Sequence, residues 1–174
     1  MELRAIGVVH SPHRERHGTP RQAVLPADPG LRPDEHVRIE LFSSVFSRDA
    51  LEGLSGFDYI WVLSWLHLNR GWNNRVQAPG ETKKTGLLAT RAPHRPNPLG
   101  LSAARLLAVD GFVLTLERCD LLNGTPVLDI KPYIPYADAF PDARAGWVDE
   151  RGGTPVEPSA EGDRWTPDLG GDTP

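Results

Sequence analysis

The residues best suited to chemistry lie in one stretch, residues 89–101, with the sequence ATRAPHRPNPLGL. It carries Arg91, His94, Arg95 and Asn97 among three prolines, which rule out a helix interior. A guanidinium group is planar and donates two parallel hydrogen bonds to a carboxylate or phosphate. A loop stiffened by proline loses little entropy on binding. The stretch therefore predicts a rigid anion-binding loop, with an ordinary charged surface loop as the alternative.

The rest of the chain must position this loop, and its pattern predicts a mainly β domain. Short apolar runs alternate with Gly/Pro turns, which is typical of a small barrel or sandwich with short helices. We predict strands over residues 3–10, 37–42, 57–68, 101–109 and 112–116, another starting at 87–89 and one ending at 130. A short helix is predicted over 43–51, a polar loop over 69–86 and irregular structure over 131–140. The polar loops of such a fold can converge at one end and form a pocket.

Two predictions concern the centre of this domain. Residues 57–68 (FDYIWVLSWLHL) form the most apolar segment and predict a central strand buried on both faces. The pairs Asp110-Gly111 and Asn123-Gly124 are strong turn signals, and the first predicts a hairpin between its flanking strands. Together they predict a sheet built largely from hairpins.

Charge is distributed unevenly along the 174 residues, although the formal net charge is only −4. Residues 61–110 carry seven Lys/Arg against two Asp/Glu, whereas residues 142–174 carry eight Asp/Glu against three Arg. We predict one domain over residues 1–147, and over 148–174 a flexible acidic tail rich in Gly and Pro. The basic middle favours RNA over a small molecule as partner.

Several classes of protein are not expected. The single cysteine, Cys119, is predicted to be structural, and it excludes an intramolecular disulfide, which fits a reducing compartment. No apolar run approaches the length that spans a membrane, so we expect a cytoplasmic protein without membrane contact. The histidines at 10, 13 and 17 do not make a convincing metal site, and no metal is expected. The common nucleotide-binding and hydrolase motifs are missing.

Five stretches resemble the TsaA-like family, whose members include TrmO-type tRNA adenine-N6 methyltransferases. They are IGVVHSP (6–12), TPRQA (19–23), FDYIWVLSWLHLN (57–69), ATRAPHRPNPLGLS (89–102) and DLLNGTPVLDIKPYIPYAD (120–138). The resemblance implies a small β-barrel, S-adenosylmethionine as methyl donor and a homodimer. It also implies tRNA as substrate, methylated at N6 of a threonylcarbamoylated adenosine next to the anticodon.

The resemblance also implies roles for individual residues. The cofactor contacts that it implies are Pro20, Arg21, Gln22, His67, Leu68, Arg91, Leu101, Asp120, Leu121, Leu122 and Asn123. Arg91 suits the carboxylate of the donor, Asp120 its ammonium or ribose hydroxyls, and the backbone at 121–122 the adenine edge. The candidates for removing or orienting the N6 proton are Asp129, Tyr133, Tyr136 and Asp138. The candidates for binding the threonylcarbamoyl carboxylate are Arg95, Lys131, Lys83 and Lys84.

The chain departs from the family pattern at Asn123, where the family commonly has Asp, which keeps the turn but loses a charge. Three functions stay open at this point. The first is a tRNA N6-methyltransferase, and the second uses the same donor with another RNA or a small molecule as acceptor. The third is a non-catalytic dimer that binds an adenosyl compound as a regulator.

Overall fold

The computed structural model describes residues 2–15, 19, 36–78, 80–150 and 152. Within that part, the strands are β1 (Gly7–His10), β2 (Val37–Leu41), β3 (Tyr59–Trp65), β4 (Arg75–Gln77), β5 (Lys84–Gly86), β6 (Leu99–Asp110), β7 (Val113–Leu116) and β8 (Pro126–Pro132). Single 3₁₀ turns span Arg48–Leu51, Leu54–Gly56 and Leu87–Ala89. Two one-turn helices complete the fold, α1 (Pro135–Asp138) and α2 (Trp147–Glu150).

Six of these strands close into an antiparallel barrel in the order β1-β2-β7-β6-β3-β8, and β8 pairs back with β1. The closed ring leaves no unpaired edge among these strands. Alternate residues point inward, so β2 shows the pattern buried, exposed, buried, exposed, buried. The core is therefore made of branched aliphatic side chains, among them Val9, Ile39, Ile60, Val62 and Leu114.

The antiparallel order decides where the connections lie. The connection from β1 to β2, the one from β3 to β6 and the one from β7 to β8 all leave from the same end of the barrel. Two of these connections hold polar loops that the sequence singles out, residues 89–101 and 120–126, and these two share one end as predicted. The third predicted loop, residues 19–23, lies outside the described residues apart from Thr19. The mainly β fold and both glycine turns are also confirmed, with φ of 57° at Gly111 and 81° at Gly124.

Several local predictions are wrong. Residues 69–86 are not a plain loop but contain the β4–β5 hairpin. The helix predicted over 43–51 is a turn followed by the 3₁₀ turn Arg48–Leu51, and residues 87–89 form a 3₁₀ turn instead of a strand. Residues 131–140 continue β8 as far as Pro132 and then form α1.

The outer face of β3 is more exposed than predicted. Its inward residues Ile60, Val62 and Ser64 are fully buried, whereas Trp61, Leu63 and Trp65 on the other face are only half-buried. On the neighbouring β6, Leu101 lies opposite Leu63 and is 59% exposed. The strand is therefore covered on one face only within this chain.

The last described residues cross the predicted end of the domain at residue 147. Helix α2 spans the predicted boundary at 147/148, so residues 148–150 are helical. The predicted flexibility of 153–174 lies outside the described residues. None of the helices in the described part is long and apolar enough to cross a membrane.

Candidate functional site

A mostly buried carboxylate, Asp120, lies just after β7 at the end of the barrel that carries the three connections. Its Oδ1 accepts a hydrogen bond of 2.5 Å from Ser102 Oγ, which β6 directs inward. Burial raises the pKa of Asp120, and this effect outweighs the Ser102 hydrogen bond and the positive charge of Arg91, which lower it. A carboxylate in this state binds a cationic group strongly, because the cation restores the interaction that burial removes.

Cys119 lies beside this carboxylate but does not take part in chemistry. Its side chain is fully buried, and its Sγ lies 3.9 Å from Asp120 Oδ1. Burial, followed by the charge of Asp120, raises the pKa of the Cys119 thiol far above its usual range. The thiol therefore stays protonated at neutral pH, and the prediction of a structural cysteine is confirmed.

Arg91 brings a positive charge close enough to act on Asp120. Its side chain makes no hydrogen bond or ion pair to the other described residues, and it is exposed. Its donors therefore remain available to a ligand. An accessible guanidinium next to a buried carboxylate fits a zwitterion, which presents a carboxylate to the first and an ammonium to the second.

The turn after Asp120 is fastened to the end of β1. Asn123 N–H donates to His13 O at 2.7 Å, Asn123 Oδ1 accepts from Ser11 N–H at 3.2 Å, and Gly124 N–H donates to Val9 O. An amide oxygen makes the Ser11 bond without a charge, so Asn in place of the family's Asp retains this contact. Leu121 is buried in the core, so only its backbone is placed to meet a ligand.

The loop that carries Arg91 is held by Arg95. Arg95 Nη1 donates to Thr90 O at 3.0 Å and to Leu87 O at 3.3 Å. Thr90 Oγ1 also donates to Leu87 O and accepts from Ala92 N–H. From outside the loop, Trp147 Nε1 donates to Ala89 O at 2.8 Å. These bonds fix the backbone on the N-terminal side of Arg91, so the rigidity expected from the prolines has a second source.

The remaining predicted cofactor residues are not all brought together. His67 and Leu68 form an exposed turn after β3, where His67 N–H donates to Trp65 O. Leu101 is on the outer face of β6, whereas its neighbour Ser102 points inward to Asp120. Pro20, Arg21 and Gln22 lie outside the described residues.

The predicted catalytic candidates lie apart from Arg91 and Asp120. Asp129 on β8 pairs with Leu63 on the outer face of β3, whereas Asp120 is bonded to the inward Ser102 of β6. Asp138 Oδ2 accepts from Trp61 Nε1 at 3.0 Å and from Ile134 N–H at 2.8 Å, so it fastens α1 to β3. Tyr133 packs its ring against Trp61, and Tyr136 is 88% exposed.

The predicted substrate cations differ in what they contact. Lys131 Nζ forms an ion pair with Asp129 Oδ2 at 2.8 Å, and Arg95 is bonded to backbone carbonyls. Lys83 and Lys84 are exposed, and their side chains make no hydrogen bond or ion pair within the described ranges. Only this second pair keeps its ammonium groups available.

Sequence reasoning missed two residues of the site, Ser102 and Trp147. Ser102 could have been found, because it alternates with Ala104 and Leu106 and so places a hydroxyl on the apolar face of a strand. Trp147 carries no comparable signal, since its partner is a main-chain carbonyl 58 residues away.

We expect Asp120→Asn to stabilise the fold at neutral pH. The folded state holds the proton of Asp120 more tightly than the unfolded chain does, because the folded-state pKa is raised. The free energy of unfolding therefore falls as pH rises above the ordinary value of 3.8. An amide keeps an acceptor for Ser102 and removes this loss, so the melting temperature of the variant should exceed that of the parent at pH 7.

Thermal melts from pH 3.5 to 8 would test this expectation, and the difference between variant and parent should vanish at the acidic end. Asp110→Asn is the matched control, because Asp110 lies exposed at the end of β6. A lower melting temperature for Asp120→Asn at pH 7 would contradict a raised pKa.

Comparison with known proteins places this geometry in context. The model of the tRNA-methyltransferase O N-terminal domain matches residues 8–139. The tRNA (adenine(37)-N6)-methyltransferase of Escherichia coli K12 is 38% identical over 155 residues, which cover 84% of this chain and 63% of that protein. A probable S-adenosyl-L-methionine-binding protein of Methanothermobacter thermautotrophicus is 40% identical over 140 residues, covering 80% of this chain and 95% of that protein.

Solved structures are also similar to this chain. The crystal structure of TrmO from Pseudomonas aeruginosa superposes with a TM-score of 0.69 at 40% sequence identity, covering 86% of this chain and 63% of that one. This chain therefore spans less than two thirds of the length of the Escherichia coli and Pseudomonas aeruginosa proteins.

Proposed function

The chain belongs to the tRNA-methyltransferase O N-terminal domain family, and from this membership we propose that it transfers a methyl group from S-adenosylmethionine to N6 of an adenosine in tRNA. The observation that carries the proposal is the pairing of an accessible Arg91 with a buried Asp120 at the loop-bearing end of the barrel. The relatives that act on tRNA adenosine or bind S-adenosylmethionine support it.

The residues present fit this donor. S-adenosylmethionine carries a carboxylate and an ammonium on one carbon, and the ends of Arg91 and Asp120 offer a partner to each. The ribose hydroxyls give Asp120 an alternative partner. The backbone of residues 121–122 is fixed by the bonds from Asn123 and Gly124 to β1, which makes it a suitable reader of the adenine edge. His67, Leu68, Leu101, Pro20, Arg21 and Gln22 are proposed as further contacts.

The chain's part in the reaction is mainly positioning. The sulfonium of the bound donor supplies the activated methyl group. Arg91 and Asp120 would hold the two charged ends of the amino-acid group of the donor, and the turn 120–124, bonded to residues 9, 11 and 13, would give it a fixed backbone to bind. Holding a donor and a nucleophile in line replaces a bimolecular encounter by an effectively unimolecular step.

The proposed acceptor is threonylcarbamoyladenosine next to the anticodon, whose carboxylate needs a cation. Lys83 and Lys84 are our proposed partners, because their ammonium groups are available. Arg95 and Lys131 were equal candidates by sequence, but they are bonded to Leu87, Thr90 and Asp129. We therefore assign Arg95 a positioning role instead, since it holds the backbone next to Arg91.

An exocyclic amine is a weak nucleophile, so a nearby acceptor must remove or orient its proton. Asp129, Tyr133, Tyr136 and Asp138 remain our candidates. Both oxygens of Asp129 are engaged, Oδ1 by Ile130 N–H and Oδ2 by Lys131 Nζ, whereas the two bonds of Asp138 are both on Oδ2. Because Asp129 and Asp138 lie at the outward residues Leu63 and Trp61 of β3, whereas Asp120 is bonded to the inward Ser102, we propose that such a group acts on the donor of a second chain.

We propose a homodimer for the same reason. The exposed Leu99 and Leu101 on β6, together with the half-buried Leu63 and Trp65 on β3, form an apolar outer surface that a second copy would cover. Sedimentation equilibrium of the purified chain should then give twice the chain mass.

We also propose a cytoplasmic location and a domain that ends near residue 147.

The decisive experiment is methyl transfer to two tRNA pools, one with the threonylcarbamoyl modification and one without. After digestion, nucleoside mass spectrometry should show a gain of one methyl group only in the modified adenosine. A gain in both pools would assign a different adenosine acceptor. No gain in either pool, with donor binding intact, would replace the proposal by another acceptor or by a regulatory binding protein.

A further inference from the structure

Positive charge is concentrated in the connection between β3 and β6. Although β3 and β6 are paired neighbours, residues 66–98 leave the barrel between them, and Leu66 N–H donates to Pro98 O at 2.8 Å where the excursion closes. The excursion carries six Lys/Arg and one Glu. The ion pairs His10–Glu40, Arg105–Glu117 and Lys131–Asp129 all lie outside it, where both signs are present.

The outer half of this excursion is a formed hairpin, which we call the basic arm and define as residues 69–78 and 80–86. Strands β4 and β5 pair Arg75 with Gly86 and Gln77 with Lys84. Arg75 Nη2 donates to Lys84 O at 2.7 Å, and Gln77 Nε2 donates to Glu81 O at 2.6 Å near the tip. Lys83 and Lys84 are therefore carried on a preformed backbone, so binding need not order it.

The arm is joined to the loop of the donor site. Leu87 N–H donates to Asn74 O at 2.9 Å, which ties the base of the arm to the 3₁₀ turn 87–89. That turn is the segment fixed by Arg95 and Trp147, and Arg91 follows it directly. A ligand on the arm would thus be held next to the donor.

We propose that the basic arm binds the sugar-phosphate backbone of the substrate RNA, with Lys83, Lys84 and Arg70 contacting phosphates and Trp72 stacking on an unpaired base. Each lysine ammonium has three donors, so Lys83 and Lys84 can contact a phosphate in addition to the threonylcarbamoyl carboxylate. This inference rests on the proposed function and names the surface that holds its substrate. Arg70 is exposed, and Trp72, two residues further along the chain, exposes 45% of its surface. Cations combined with an exposed aromatic ring are what single-stranded nucleic acid requires, because phosphates and base faces are presented together.

The test compares two double variants of equal charge change. Lys83→Glu/Lys84→Glu alters the arm, and Arg38→Glu/Arg48→Glu alters exposed positions on β2 and the first 3₁₀ turn. Binding of fluorescent tRNA is measured by anisotropy from 50 to 200 mM NaCl, and donor binding by calorimetry. The arm variant should lose roughly tenfold in tRNA affinity at 100 mM NaCl and show a log–log salt slope shallower by about 1.5 to 2, with donor affinity unchanged.

A third variant separates stacking from charge. Trp72→Ala should lose about 5- to 150-fold in tRNA affinity, with no change in the salt slope. Equal losses of tRNA affinity in both double variants would mean a general charge effect and would overturn the proposal that the arm binds RNA. No loss in the arm variant would also overturn it and would leave an acidic protein as the partner of the arm. If tRNA binds through the arm in the parent chain but no methyl group is transferred, the proposed function fails and the arm stands.

Discussion

Replacing Arg91 by Ala should weaken S-adenosylmethionine binding by about 10- to 150-fold. The proposed contact is a charge-assisted hydrogen bond to the donor carboxylate, and such bonds contribute about 1.5–3 kcal/mol. The fold should be unaffected, because the Arg91 side chain makes no hydrogen bond to the described residues. Isothermal titration calorimetry with the donor would measure the loss, and a melting temperature within about 2 °C of the parent would confirm an intact fold.

Two further variants make this result specific to the guanidinium group. Arg91→Lys keeps the charge but loses the planar fork, so we expect an intermediate affinity. Arg70→Ala removes the same charge from the same excursion without approaching Asp120, and it should bind the donor as the parent does. Unchanged donor affinity in Arg91→Ala would remove Arg91 from the site.

Gly100→Ala adds a methyl group to β6 where that strand faces β3. Among such additions, it should lower the free energy of unfolding most. A Cβ at residue 100 would overlap Ser64 Oγ on the paired strand and lie 3.1 Å from Leu66 Cδ2. Overpacking of this kind costs about 1–3 kcal/mol. The midpoint of urea unfolding should fall accordingly, and the melting temperature should drop by about 3–10 °C.

The Ser64 hydroxyl provides an internal check on this cost. It is fully buried and has no hydrogen-bond partner among the described residues, so Ser64→Ala alone should be neutral or stabilising by up to about 1 kcal/mol. The double variant should recover at least half of the loss caused by Gly100→Ala. Gly86→Ala is the matched control, because a Cβ there meets nothing within 4 Å. A double variant no more stable than Gly100→Ala would show that Ser64 is not the obstacle.

Most of the barrel could be predicted because its strands alternate. Residues 37–42 show the period of two that a half-buried strand requires, and residues 57–68 are an apolar run rich in β-branched and aromatic residues. Gly111 and Gly124 mark turns that need a positive φ. The β4–β5 hairpin escaped prediction because Val76 is its only aliphatic side chain, so it lacks an apolar face. Its pairing comes from backbone hydrogen bonds and from the bonds of Arg75 and Gln77 to carbonyls.

The site was predictable in its residue types and less so in its contacts. Arg91 could be singled out from its stiff loop, but its proximity to Asp120 follows from the order of the barrel strands. Arg95 has the same residue type in the same loop and serves a different purpose, since its donors face Leu87 O and Thr90 O. Backbone carbonyls are present at every residue, so the sequence holds no signal that separates an arginine that binds a ligand from one that holds a loop.

Closure of the barrel has a consequence for how the chain folds during synthesis. The strand that closes the ring pairs Gly7 with Val127, so β1 leaves the ribosome long before its partner β8 exists. At about 5–20 residues per second, β1 waits roughly 6 to 24 s for that partner. Contacts so distant in sequence also make folding slow, since the intervening loop must be closed first. One side of β1 thus stays unpaired for that whole interval, even after β2 has paired with its other side, and it is open to pairing with another strand.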